Sequence, residues 1–433
     1  MTFAEGSSRR NVLALCVFLD LFAVSLIVPL LPVRYKELGV EPVVIGMIGS
    51  VYSIAQIVGG LILGVLSDRL EDRRTVLLLS FGGAAVAYAM VGAASTVWFL
   101  VLSRVVVGLF KQTMTASKAM AAAWSDDAHR AEYMGLINSM ATAAWVTGSA
   151  VTGMIRRMHP AAPSVVAVAL YAVDAVIVMK FLPPTNGATG GEASSSSSEG
   201  DAKTVEAKTS ASKSRKPIFA SIKRAFGNGA VGRFLAIRVL YGLVARAAMT
   251  QQDSWEMDRF GLKTGQIGSL RTTKSLLSVV FQGLVAGRAV RWLGERAAFA
   301  VALVLAAVSS CLEYTVTDVK VYAVCAVPCS LVASMLSSIA LESLMTQLVP
   351  KSEIGASLAS LDVLNSAVGV VAPLIGGAII QYCGLLARPL VAGVAYVALL
   401  AATSVFMPSS SMVASSAGAN SREEKTQIAK KVQ

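Results

Sequence analysis

This sequence is short of charge. Only 15% of its 433 residues are Asp, Glu, Lys or Arg, where a soluble domain carries about a quarter. With 55% of residues hydrophobic and a mean hydropathy of +0.64, such a chain has too little polar surface to face water, and a bilayer is the solvent implied. Histidine is almost missing. His129 and His159 both fall in predicted loops, so no Ser/His or Cys/His nucleophile arrangement can be assembled. A phosphate-cradling Gly-x-x-x-x-Gly-Lys-Ser/Thr loop is absent as well, and nothing points to ATP as an energy source. The few cysteines, Cys16, Cys311, Cys325, Cys329 and Cys383, lie in or beside apolar stretches. That excludes a secreted disulfide framework and leaves too few ligands for a metal site. An enzyme is not expected, and neither is a cofactor. Aromatics make up only 7%. Ala, Val, Leu, Gly and Ser dominate instead, and small residues of this kind let membrane helices pack closely.

What is present is a series of long apolar runs. About 20 apolar residues cross the hydrocarbon as a helix. That window places spans near 11–32, 43–66, 75–95, 97–122, 132–156 and 163–182. A second set falls near 232–252, 265–287, 297–316, 320–346, 355–381 and 389–408. The first run is long, contains Asp20 and lacks a small-residue cleavage site, so it reads as a retained helix. Residues 1–10 precede the first bundle, 11–182. Residues 183–230, with a serine run and many lysines, cannot bury a core and read as a disordered linker. A second bundle, 231–408, and a polar tail, 409–433, complete the order.

The net charge is +12. Its basic residues gather at alternate loops: Arg9, Arg10, Arg69, Arg73, Arg74, the linker lysines, Arg288, Arg291, Arg296 and the tail. Such loops stay cytoplasmic, which places both termini inside. No basic, aromatic-bearing soluble domain is present to bind nucleic acid. The implied partners are lipid and a small solute, and the chain is expected to act as a monomer.

The two sets of spans repeat. Ile45-Gly46 opens span two and Gly64 nears its end 18 residues on; Ile267-Gly268 opens span eight and Gly287 follows after 19. Lys118 precedes Gly153 by 35 residues, and Glu342 precedes Gly377 by the same 35. A six-plus-six parallel repeat implies a pseudo-two-fold axis along the membrane normal and a binding site between the halves.

Gly64-x-x-x-Asp68-Arg69, followed by Arg73-Arg74, stands after span two. It resembles the loop signature of the major facilitator superfamily, with Glu71-Asp72 intervening where that family has glycine. Arg104-x-x-x-Gly108 in span four resembles its buried-arginine signature. Gly148-Ser149-Ala150-Val151-Thr152-Gly153 in span five resembles the Gly-Pro-x-x-Gly-Gly signature of proton-driven antiporters, and Pro373 with Gly376 and Gly377 matches it better in span eleven. Asp20 followed by Pro29-Leu30-Leu31-Pro32 looks like the first helix of drug–proton antiporters, including the tetracycline exporters. The resemblance spans 11–408 outside the linker. It implies the major facilitator fold, an all-α membrane protein of twelve transmembrane helices in two six-helix bundles, and transport by alternating access.

Ionisable residues at membrane depth are the functional candidates, since each costs about 2.5–3.5 kcal/mol at a helix centre on insertion scales. Arg104, Lys111 and Lys118 recur every seven residues, nearly two turns, and so form one basic stripe along span four. Asp20 sits mid-span, either as a proton-binding carboxylate or in a fixed pair with a span-four cation. Asp174 in span six is expected in a structural pair. Arg238, Lys274 and Glu342 complete the cavity candidates, and Glu342 is expected to close a gate against Lys118. These residues point to a secondary transporter of a small organic solute, with proton coupling implied by the antiporter resemblance. An organic-anion uniporter or exchanger stays open, as does a transporter-shaped receptor or scaffold.

Overall fold

Helices are the expected answer to a bilayer, because a spanning segment must satisfy its own backbone hydrogen bonds. The computed structural model describes residues 3–70, 72–124, 130–182, 229–281, 287–348 and 354–406, and among these it contains helices and no strands. The expected linker and tail fall outside the described residues, apart from the linker's last two positions, which are helical.

The first half comprises α1 (Phe3–Ile27), α2 (Leu30–Glu37), α3 (Pro42–Leu70), α4 (Arg73–Gly92), α5 (Val97–Phe110), α6 (Thr113–Trp124), α7 (Arg130–Met158) and α8 (Ala162–Phe181). The second comprises α9 (Gly229–Met249), α10 (Gln252–Phe260), α11 (Thr264–Phe281), α12 (Gly287–Leu293), α13 (Glu295–Thr315), α14 (Val319–Val321), α15 (Val327–Leu348), α16 (Ile354–Ala378) and α17 (Ala387–Phe406). A π-helical turn, Tyr322–Ala326, joins α14 to α15, and another, Ile379–Cys383, extends α16.

Among the described residues nine helical stretches are long and apolar enough to cross a membrane. The other three expected spans correspond to α7, α9 and α11, which are 29, 21 and 18 residues long. They are less apolar because they carry the contacts between the halves or the charges of the interior. Large apolar side chains such as Leu61, Ile62, Trp98, Val165, Val394 and Val405 lie exposed, as a surface facing lipid requires.

Several spans are not single rods. Pro29, which has no N–H to donate, separates α1 from α2. Span four breaks at Lys111, whose ψ of 80° leaves the helix. There Ser80 of α4 donates to the freed Phe110 carbonyl at 2.5 Å and accepts from the Gln112 N–H at 2.8 Å. Span seven breaks at Gln251, which sits in the left-handed region at φ 58°. A non-glycine residue there carries about 1–3 kcal/mol of strain and persists only when its surroundings hold it. Its side chain donates to the Pro42 carbonyl of the other half at 2.8 Å.

Among the described residues the halves meet most extensively along two helix pairs. α3 lies on α16, with Gly46 facing the main chain of Pro373: a Cβ there would stand 2.4 Å from the Pro373 carbonyl oxygen. α7 lies on α11, where Gly153 faces Gly265. Gly376 and Gly377 likewise admit α9 and the start of α3. Gly108 brings α5 onto α3, and Gly148 brings α7 onto α1 at Ser25. The packing role expected of Gly108, Gly148, Gly153, Pro373, Gly376 and Gly377 therefore has a neighbour in each case. Gly64 differs: a Cβ there meets nothing within 4 Å among the described residues. The segment expected as a loop also continues as helix to Leu70. The inserted Asp72 explains why so short a connection works. Its carboxylate caps α4, accepting from the Arg74 N–H at 3.0 Å and the Thr75 hydroxyl at 2.7 Å.

Candidate functional site

Among the described residues two clusters of buried charge occupy the interior, one in each half and each beside a helix break. In the first half, Asp20 of α1 is fully buried and paired with Lys111. The break in span four turns the Lys111 chain toward it. Tyr171 of α8 completes the group: its hydroxyl lies 3.3 Å from Lys111 Nζ and donates to the Asp20 main-chain oxygen at 3.3 Å. The lysine also stands 5.2 Å from the centre of the Tyr171 ring, within range of a cation–π attraction. Arg104, 8% exposed, stands over the Tyr88 ring and reaches the Ser103 hydroxyl at 3.3 Å, with no carboxylate partner among the described residues. Asp174 of α8 is fully buried, and neither carboxyl oxygen has a hydrogen-bond partner among the described residues. The structural ion pair expected for it is not found among the described residues.

The second cluster is richer. Glu256 of α10 pairs with Lys274 of α11 and accepts from Tyr322 at 2.7 Å and from Gln252 at 2.8 Å. Lys274 stands 5.7 Å over the Tyr322 ring. One turn away, Asp253 pairs with Arg271 at 2.5 Å. Arg388 of α17 bonds Gln252 and the Ala248 carbonyl freed at the span-seven break, and faces Glu313 of α13 at 3.7 Å. A cavity of about 100 Å³ adjoins them, lined by Glu313, Arg388, Gln252, Ser309, Ser334 and Tyr241 among others. Each cluster thus joins an acid, a lysine and a tyrosine, although different spans supply them in the two halves.

The structure brings Asp20 and Lys111 together but not the whole basic stripe. The turn at Lys111 interrupts the helix, so seven-residue spacing does not keep Arg104, Lys111 and Lys118 on one face. Lys118 and Glu342 do not meet among the described residues, and Glu342 is exposed on α15. Arg238 lies half-buried on α9. Arg69 is exposed; Arg73 donates to the Ala119 carbonyl at 2.7 Å and Arg74 to that of Met179 at 2.7 Å, tying α4 to the ends of α6 and α8. The Asp68 side chain lies outside the described residues. Asp253, Glu256, Glu313, Arg388, Tyr171 and Tyr322 went unnoticed in the sequence. One signal was there: Asp253 and Glu256 are three apart, as are Arg271 and Lys274, which places each pair on one helix face. Among the described residues no cluster of three or more His, Cys, Asp or Glu is placed to hold a metal ion.

One end of the molecule is closed between the halves. Lys36 pairs with Asp258 at 2.5 Å, Gln381 donates to Glu41 and accepts from the Val43 N–H, and Ser50 donates to the Val370 carbonyl at 2.6 Å. Arg156 braces Glu37 beside them at 2.7 Å. Lys36→Cys joined to Asp258→Cys by a short bifunctional thiol reagent is expected to hold this end shut and stop turnover. Each single variant, losing only an exposed pair worth about 0.2–1 kcal/mol, should keep its activity. Unchanged flux after cross-linking would show that this end need not open.

The model of the Major Facilitator Superfamily matches residues 13–373. Among curated proteins, the chain is 27% identical over 292 residues to the class G tetracycline resistance protein of Vibrio anguillarum, covering 67% of this chain and 70% of that one. Among solved structures it is similar to the human organic anion transporter MFSD10, with 18% identity, a TM-score of 0.62 and coverage of 92% of this chain and 99% of that one. It is also similar to the nucleoside transporter NupG, with 14% identity, a TM-score of 0.73 and coverage of 93% and 100%.

Proposed function

The chain belongs to the major facilitator superfamily and is a multi-pass membrane transporter, and from that premise we propose that it moves a small organic solute of the tetracycline-like kind in exchange for protons. Asp20 is the proton-binding residue in this reading. The observation that carries it is the Asp20–Lys111 pair, buried at the break of span four. An unwound helix inside a membrane is tolerated where it serves a site. When Asp20 is ionised, Lys111 is its counterion. When Asp20 takes a proton, the pair loses its Coulomb attraction and Lys111 must turn to solute or water. Proton binding and solute release are thereby coupled through one lysine.

The bundles 11–182 and 231–408 rock about α3–α16 and α7–α11, as a monomer. The basic residues around Arg69–Arg74 lie at the cytoplasmic face, with both termini on that side. The end sealed by Lys36 and Asp258 is then the outer one. Arg104, Lys111, Lys274 and Arg238 line the solute route, with Glu342 near its cytoplasmic end. The tetracycline-like choice of solute follows six curated relatives that are tetracycline resistance proteins.

A second reading, exchange of an organic anion, is favoured by Arg104, a buried cation without a carboxylate partner among the described residues. Proteoliposomes holding a pH-sensitive dye separate the two. Adding tetracycline is expected to move protons against it. Anion exchange without proton movement would select the second reading. No flux of tetracycline, organic anions or nucleosides would leave the receptor or scaffold reading.

A further inference from the structure

We propose that Asp174 is a second proton-binding carboxylate of the first half, neutral in this closed state, which receives protons from Asp20 and passes them onward. The proposal rests on Asp20 acting as the primary proton site, as argued above.

The geometry is the argument. Asp174 is fully buried and both its oxygens lack partners among the described residues. Among the described residues the cation that acts on it is Lys111, which is engaged by Asp20. An isolated buried carboxylate is too costly to stay ionised in such surroundings, and it resolves the cost by holding a proton. The other groups facing it offer little relief. From α1 come the Cys16 thiol, a weak donor toward it, and the Asp20 carboxylate, which repels a second negative charge. On its own helix Tyr171 stands one turn away, engaged with Asp20 and Lys111, and from α4 Tyr88 packs on the Tyr171 ring. The titratable residues described on α7 lie toward its ends, Tyr133 under Arg10 and Arg156 on Glu37.

Position gives the carboxyl its role. Cys16 and Asp20 are four apart on α1; Tyr171 and Asp174 are three apart on α8. Each pair therefore shares a helix face, and the two faces meet with Tyr171 at Asp20 and Asp174 at Cys16. Asp174 thus lies one turn from Asp20 toward the end where α1 begins, away from the sealed Lys36–Asp258 end. A proton leaving Asp20 in that direction meets Asp174 first. The sequence balances. Asp174 releases its proton to the side where α1 begins and becomes a carboxylate. A protonated Asp20 gives its proton to that carboxylate. The Asp20 carboxylate then returns to Lys111. One proton enters at Asp20, one leaves at Asp174, and only O–H bonds are made and broken.

Infrared spectroscopy of the purified full-length protein tests this without any transport. A neutral carboxylic-acid carbonyl band is expected at neutral pH, shifted in heavy water, lost in Asp174→Asn and retained in Asp20→Asn. A spectrum in which Asp174→Asn removes no such band overturns the proposal. Should Asp174→Asn not fold, Asp174→Glu is expected to move the band, and an unmoved band overturns it equally. In liposomes Asp174→Asn is expected to lose solute-driven proton flux while keeping solute exchange; undiminished proton flux overturns the relay. If the wild type moves no protons but Asp174→Asn still removes the band, the coupled reading fails while the neutral Asp174 stands.

Discussion

Asp20→Asn is expected to abolish solute movement driven by a pH gradient and to leave solute exchange between the two sides of a liposome running. Asparagine fills the same space and can still accept a hydrogen bond from Lys111, but it has no proton to bind or lose. The carrier can then alternate loaded with solute and cannot be driven. Asp20→Glu, which keeps the titrating group, is expected to retain part of the driven flux. The variant leaves Lys111, whose side chain is 12% exposed, without its counterion, and stranding one member of a buried pair costs about 3–5 kcal/mol. Melting of the detergent-solubilised protein is therefore measured alongside, and Asp20→Asn combined with Lys111→Met recovers much of any lost stability without recovering coupling. Driven flux at wild-type levels in Asp20→Asn would remove Asp20 from the mechanism.

The second large effect lies in the other half. Glu256→Gln is expected to destabilise the protein by about 3–5 kcal/mol, because Lys274 loses its counterion in an interior where Glu256 is fully buried. Tyr322 and Gln252, which both donate to Glu256, would keep their bonds to the glutamine oxygen. The loss is thus the unbalanced charge and not the hydrogen bonds. Glu256→Gln with Lys274→Met removes both charges and is expected to melt close to wild type, since an apolar replacement of a buried pair is often neutral or better. A single variant that melts like wild type would mean that Lys274 reaches water and that the pair serves the solute route alone.

The helices were legible because their signal is local. An apolar run of the right length is visible in any window, and the structure places helices at all twelve expected spans. Their breaks were less visible. Pro29 announces one, but nothing in the residues around Lys111 or Gln251 demands a turn there. Those breaks are held by Ser80 from α4 and by Arg388 and Pro42 from distant segments. The candidate site divides the same way. Asp20 and Lys111 stood out as charges in apolar surroundings. Glu256 and Asp253 did not, because α10 follows the break and reads as a polar loop after span seven. Gly64 belongs to the loop signature, yet a Cβ there meets nothing within 4 Å among the described residues.

By itself the sequence determined the solvent, the helical class, the family resemblance and the short list of charges that must be explained. Hydropathy and motif spacing depend on neighbours along the chain. Only the tertiary structure decided which charges meet: Asp20 with Lys111 across 91 residues, Glu256 with Lys274, Arg388 with Glu313, and Asp174 in no ion pair among the described residues. That choice depends on which helix faces touch and where each helix breaks. In a medium of low polarity that choice decides which charges have a partner to balance them.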